Sequence, residues 1–139
     1  MEGRQRTARA LLALAAATLA AGCTSTITNL TPSALPREAS GLYQFEAEWT
    51  TTQRSRDLRQ DTIEAYVVAD QKMYPMERVP RIQDRWEAHV PIPPGTNVLY
   101  YQFKWDYGTA GFGRTVPNSL RSQTYRVEIV DPAPAAGGR

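Results

Sequence analysis

The sequence predicts an all-β domain, an antiparallel sandwich of six or seven short strands. Three observations lead there. Apolar residues alternate with polar ones at a period of two in five separate windows of the chain. Proline- and glycine-containing turn signals separate several of those windows. Beyond the first 22 residues, no window carries an apolar stripe at the 3.6-residue period of a helix. Short alternating strands divided by turns bury one face each, and two such sheets packed face to face share a single core.

The first strand is predicted from Gly41 onward, where Tyr43, Phe45, Ala47 and Trp49 alternate with Gln44, Glu46, Glu48 and Thr50. Thr51–Gln60 is polar and arginine-rich and reads as a loop or hairpin end. Ile63, Ala65, Val67 and Ala69 form the next buried row, with Tyr66 and Val68 among the residues pointing the other way. Met73–Arg81 contains Pro75 and Pro80, which suits an edge strand or an irregular crossing, because proline cannot donate to a ladder. Trp86, Ala88, Val90 and Ile92 face one way, and Arg85, Glu87 and His89 the other. Pro93-Pro94-Gly95 signals a turn. Leu99, Tyr101, Phe103, Trp105 and Tyr107 follow as one row, residues 108–121 read as a long glycine-containing loop, and Tyr125, Val127 and Ile129 mark the last strand. The expected core is Tyr43, Phe45, Trp49, Trp86, Phe103, Trp105 and Tyr125.

The chain of 139 residues has room for one domain. Its 42% hydrophobic and 22% charged residues are those of a globular protein. The formal charge of +2 resides in the first 22 residues, where Arg4, Arg6 and Arg9 outweigh Glu2, and the remainder balances its charges. Such a balance gives no electrostatic case for nucleic acid or for an anionic membrane face. Cys23 is the only cysteine, so no intramolecular disulfide forms and the domain rests on its apolar core.

The N-terminus has three parts: basic Met1–Arg9, apolar Ala10–Ala21, and small residues before Cys23. This is the order of a signal peptide. A run of about a dozen apolar residues is too short for ~30 Å of hydrocarbon, which takes about 20. Leu19-Ala20-Ala21-Gly22-Cys23 resembles the bacterial lipobox, although the usual leucine three places before the cysteine is Ala20 here. The resemblance implies cleavage before Cys23, lipid on that residue and attachment to a membrane of the bacterial envelope. Thr24, in place of an aspartate, implies the outer membrane, on its periplasmic or surface side. The resulting partition is a signal helix over 1–22, a lipidated tether over 23–40 rich in Thr, Ser and Pro with room for a short strand at Ile27–Leu30, a β domain over 41–131 and a disordered tail over 132–139.

Trp86–Gly95, followed by Tyr101-Gln102-Phe103-Lys104-Trp105-Asp106, resembles immunoglobulin-like early-set domains, among them the glycogen- and starch-binding modules of amylolytic enzymes. The resemblance spans a strand, a turn and a strand, and it implies an immunoglobulin-like sandwich more than a ligand.

The candidate sites are few. His89, the sole histidine, has no nucleophile or orienting acid in its local sequence. Glu46 and Glu48 share a strand face, whereas glycosidase carboxylates face each other across a cleft. Gly108–Arg114 has glycines but lacks the Lys-Ser/Thr pair of a phosphate loop. Arg54, Arg56 and Arg59 are interrupted by Asp57 and read as a solvated loop. No cofactor, metal or enzymatic activity is expected. Tyr66 and Tyr100 point away from their strands' apolar rows and together suggest an aromatic platform, and Phe112 with Arg114 suggests a recognition loop. The expected function is a lipid-anchored envelope protein that binds another protein or acts as a scaffold; the alternative is a carbohydrate-binding module displayed on lipid.

Overall fold

The computed structural model describes residues 24–53 and 56–132. Cys23, the leader, Arg54 and residues 133–139 lie outside the described residues, and with them the signal helix, the lipidation site and most of the expected tail. Within the described residues there is no helix.

The described residues form nine strands: β1 (Ser25–Asn29), β2 (Ala34–Pro36), β3 (Leu42–Thr51), β4 (Leu58–Ala69), β5 (Lys72–Arg78), β6 (Arg85–Pro91), β7 (Val98–Ala110), β8 (Thr115–Arg121) and β9 (Tyr125–Val130). They pair in the order β1-β3-β6-β5-β4-β7-β9-β2, with β8 added to β7. All pairs are antiparallel except β2 with β9, which is parallel. The all-β class thus holds, with more strands than the six or seven expected and a mixed sheet in place of a purely antiparallel one.

The sheet is curled into a half-barrel, and chain geometry requires it. β1 and β2 are consecutive in sequence yet sit at opposite ends of an eight-strand path. Laid flat, that path would be about 34 Å wide at the usual strand spacing. The five residue steps from Asn29 to Ala34 reach at most about 18 Å. Curling brings the two ends together and turns one face of every strand inward. The predicted rows fill that concave face: Tyr43, Phe45, Ala47 and Trp49 from β3, Ala65, Val67 and Ala69 from β4, Trp86, Ala88 and Val90 from β6, Leu99, Tyr101, Phe103 and Trp105 from β7, and Val127 and Ile129 from β9 are all buried. Of the expected core, only Tyr125 is merely half-buried, against the Tyr101 and Phe103 rings. Rings from the two halves meet edge to face, as Phe45 does with Tyr101 at 4.7 Å, the arrangement that ring quadrupoles favour.

Two expectations are corrected, and for β5 the structure selects one of two alternatives. Thr24–Ser40, expected to be a tether with room for a short strand at Ile27–Leu30, carries two strands of the sheet: β1 pairs with β3 over its whole length, and β2 lies on β9. Thr31 anchors the passage between them, its hydroxyl donating to the Glu46 carbonyl and accepting from the Glu46 amide. The composition of this segment suits edge strands as well as a tether, and its pairing is visible only in three dimensions. Residues 108–121, read as a loop, continue β7 and form β8, because Ala110–Lys104 pair with Thr115–Arg121 residue by residue. β5 is the crossing of the two readings offered, not an edge. Lys72–Met76 pair with β4 and Glu77–Arg78 with β6, so Pro75 sits where only one neighbour asks for hydrogen bonds.

Candidate functional site

A concavity of about 1010 Å³ lies at the pole where β3 and β7 begin and β4, β6 and β9 end. Two turns build it. Glu38–Gly41 closes with the Gly41 amide donating to the Glu38 carbonyl. Pro93–Thr96 closes with the Thr96 amide donating to Pro93. In the second turn Pro94 occupies the place where a fixed negative φ is wanted and Gly95, at φ +85, the place where a left-handed residue is required, the type II pattern. Ile92 N–H donates to the Gly41 carbonyl and joins the two turns.

Arg37 ties this pole together. Its Nε pairs with Asp131, while Nη1 reaches the Thr96 carbonyl at 3.2 Å and Nη2 the Asn97 Oδ1 at 2.7 Å. The end of β2, the turn before β7 and the chain leaving β9 are thereby held as one unit. Tyr43 supports it from below, its hydroxyl accepting from the Glu38 amide at 3.0 Å.

The groove is mainly apolar at its floor and charged at its rim. Tyr43 and Ile92 are buried, Tyr74 is half-buried, and Pro91, Pro93 and Pro94 form an exposed wall. Arg37 is already committed to Asp131, but Glu38, Asp70 and Lys72 on the rim make no ion pair among the described residues. Tyrosine and proline surfaces with unpaired charges around them suit an extended segment of chain that has apolar and charged residues to offer.

The four binding residues expected from sequence separate into two places. Tyr66 and Tyr100 do share the outer face of the sheet, Tyr66 in the β4–β7 ladder and Tyr100 opposite Arg126 in the β7–β9 ladder. Tyr66 stands opposite Lys104 in register, and Tyr100 lies four residues along from Lys104, about 13 Å at the usual strand rise. Lys104 lies over the Tyr66 ring at 5.8 Å and pairs with Asp106. Tyr66 donates to Glu64 at 2.7 Å, and this hydrogen bond to a carboxylate raises its pKa above 10.0. Tyr100 is 61% exposed. Phe112 and Arg114 lie instead at the tip of the β7–β8 hairpin, at the opposite pole from the groove. Gly111 N–H donates to the Arg114 carbonyl there, and Gly113 takes φ +69.

The remaining candidates have ordinary surroundings. His89 is exposed on β6 opposite Gln44. Glu46 is paired with Arg85 at 2.9 Å, and Glu48 stands opposite Arg85 in register. Among the described residues no group of histidine, cysteine, aspartate and glutamate is placed to hold a metal ion. The groove escaped the sequence reading because its walls come from four separated segments. Only the Pro93-Pro94-Gly95 turn was legible, and Tyr43 was read as core alone.

Comparison with protein-family models, with curated proteins and with solved structures finds no match to the chain.

Proposed function

We propose that the protein is a lipid-anchored envelope protein, without enzymatic activity, that uses its β domain to hold an extended segment of another envelope protein. The observation that carries this reading is polarity. Thr24 is bonded to Thr52 at one pole, and the groove of about 1010 Å³ opens at the other. A domain attached through lipid on Cys23 would therefore present the groove away from the membrane. The lipobox-like run Leu19–Cys23 supports the anchor, and Thr24 supports placement at the outer membrane. We further assign the curled sheet to the immunoglobulin-like sandwich type. The supporting feature is that its two halves close over one core, with the first two strands divided between opposite edges.

A photo-reactive residue placed at Tyr74 or Lys72 of the full-length protein in intact cells tests the reading. One envelope protein should be captured from both positions, and capture should fall at least tenfold when Pro94→Asp is added to the wall. A probe at Tyr100, outside the groove, that captured the same protein equally well would sink it.

A second reading has its own observation: Tyr66 and Tyr100 share one outer face. Stacking of sugar rings on these tyrosines would make the domain a carbohydrate-binding module. Polysaccharide pull-down that is lost in Tyr66→Ala and Tyr100→Ala, with groove variants unaffected, would select this reading over the first.

A further inference from the structure

We infer that the pole bearing Thr24 is a second membrane contact, in which Phe112 and Ile82 enter the lipid interface beside the anchor. The inference rests on the reading that Cys23 carries lipid. It follows from the way Thr24, the next residue, is bonded into the sheet.

Thr24 is already bonded into the fold. Its amide donates to Thr52 Oγ1 at 2.7 Å, its carbonyl accepts from the Thr52 amide at 2.9 Å, and Ser25 begins the β1–β3 ladder opposite Thr51. One residue of chain spans at most about 3.6 Å. A lipid-bearing residue 23 therefore sets the Thr24 pole directly on the headgroups, whereas a tether of some seventeen residues would have let the domain float free.

Three loops share that pole, and backbone hydrogen bonds fix them to it. Trp49 N–H donates to the Asp84 carbonyl of the 79–84 loop at 2.8 Å, and Ala110 N–H donates to the carbonyl of Asp57, just before β4, at 2.7 Å. The β7–β8 tip follows immediately after Ala110. Phe112 at this tip is 107% exposed and Ile82 in the 79–84 loop is 46% exposed, both as free as side chains can be on a folded surface or nearly half so. Arg81, at φ +66, and Asp84, at φ +62, hold the Ile82 loop in a left-handed bend that ordinary residues avoid. Among the described residues, the exposed arginines Arg56, Arg59, Arg81 and Arg114 stand beside Asp57, Asp61 and Asp84. Apolar tips among arginines are what an interface with anionic headgroups accommodates.

The test uses the full-length protein, extracted in detergent and reconstituted into vesicles of phosphatidylethanolamine and phosphatidylglycerol, with or without brominated acyl chains. The natural tryptophans, Trp49, Trp86 and Trp105, are buried, so Phe112→Trp adds a single exposed reporter at a site that makes no packing contact. The added emission should shift to the blue on reconstitution and should be largely lost in brominated vesicles, while the parent protein's emission stays the same. Protein that floats with the vesicles but whose residue-112 emission is unshifted and unquenched overturns the second contact and leaves the anchor standing. Quenching in protein whose residue 23 is found unmodified by mass spectrometry supports the contact and overturns the anchor. Protein that does not float overturns both.

Discussion

Tyr101 shows how one side chain joins both halves of the sheet. It comes from β7, is 2% exposed, and packs edge-on against Phe45 of β3 and Phe103 of its own strand. Its hydroxyl meets the Asn29 amide of β1, with Nδ2 at 2.9 Å and Oδ1 at 3.2 Å. Burial raises its pKa above 10.0, only partly offset by the Asn29 and Thr31 hydrogen bonds. The neutral phenol is thus the form the fold favours. Its contribution is complete below pH 10 and is lost as pH rises through the elevated value in the folded state. Tyr101→Phe should cost about 1–2 kcal/mol at pH 7, the penalty for breaking a buried hydrogen bond. Denaturant titrations should also show a shallower fall of stability above pH 10 than in the parent. A variant with an unchanged alkaline slope would mean that another group controls it. Beside it in the core, the indole N–H groups of Trp49, Trp86 and Trp105 are buried without a hydrogen-bond acceptor among the described residues, and their rings are held by stacking and edge contacts instead. The three tryptophans, at inward positions of β3, β6 and β7, were readable as core from sequence; the shared unsatisfied N–H was not, because it depends on what each ring meets.

At the scale of elements, turns carry much of the specification. β4 and β5 are joined by Asp70 and Gln71 at φ +48 and +63, a two-residue connection between the Ala69–Lys72 pair. Two left-handed residues match the twist of the flanking strands, as in a type I′ hairpin. Aspartate tolerates this conformation better than glutamine does. Gln71→Gly should stabilise the domain by about 0.5–1 kcal/mol, since relief of a left-handed cost of about 1–2 kcal/mol exceeds the extra entropy glycine loses on folding. Thermal or urea unfolding reads this directly, and a loss of stability would show that the Gln71 side chain makes a larger contribution than its backbone conformation costs. The β7–β8 hairpin is held differently. Thr62, in the irregular part of β4 between Arg59 and Glu64, accepts from Gly108 N–H at 2.8 Å and donates to the Arg59 carbonyl at 2.7 Å. A Cβ at Gly108 would come within 2.4 Å of Thr115 Cγ2, so glycine here lets β4 and β8 close on β7 from both sides. Gly108 and Gly111 were the reason residues 108–121 read as a loop; in the fold, Gly108 instead allows close approach of two strands.

For the whole molecule, the decisive feature is that the N-terminal segment bridges both edges of the curled sheet. β1 covers the free side of β3, and β2 that of β9. Removing them would expose two rows of unpaired backbone groups and uncover Tyr101, Ile129 and their neighbours. A chain of residues 41–131, the domain suggested by composition, should therefore fold poorly, with a broad non-cooperative unfolding transition and binding of a hydrophobic dye at neutral pH. The chain beginning at Thr24 should unfold cooperatively under the same conditions. Equal cooperativity in both would show that β1 and β2 are dispensable.

The sequence by itself determined the all-β class, the direction in which nearly every core side chain points, and the outward placement of Tyr66 and Tyr100. Alternation at a period of two is a local property of the backbone, so it survives whatever the strands later pair with. Tertiary structure alone decided the order of the strands, the parallel docking of β2, the capture of the apparent tether into the sheet, and the groove formed by the 37–41 and 91–95 turns with β5. Each of these depends on segments far apart in sequence being brought together by a shared core, and no local pattern records which distant strand will supply the missing hydrogen bonds.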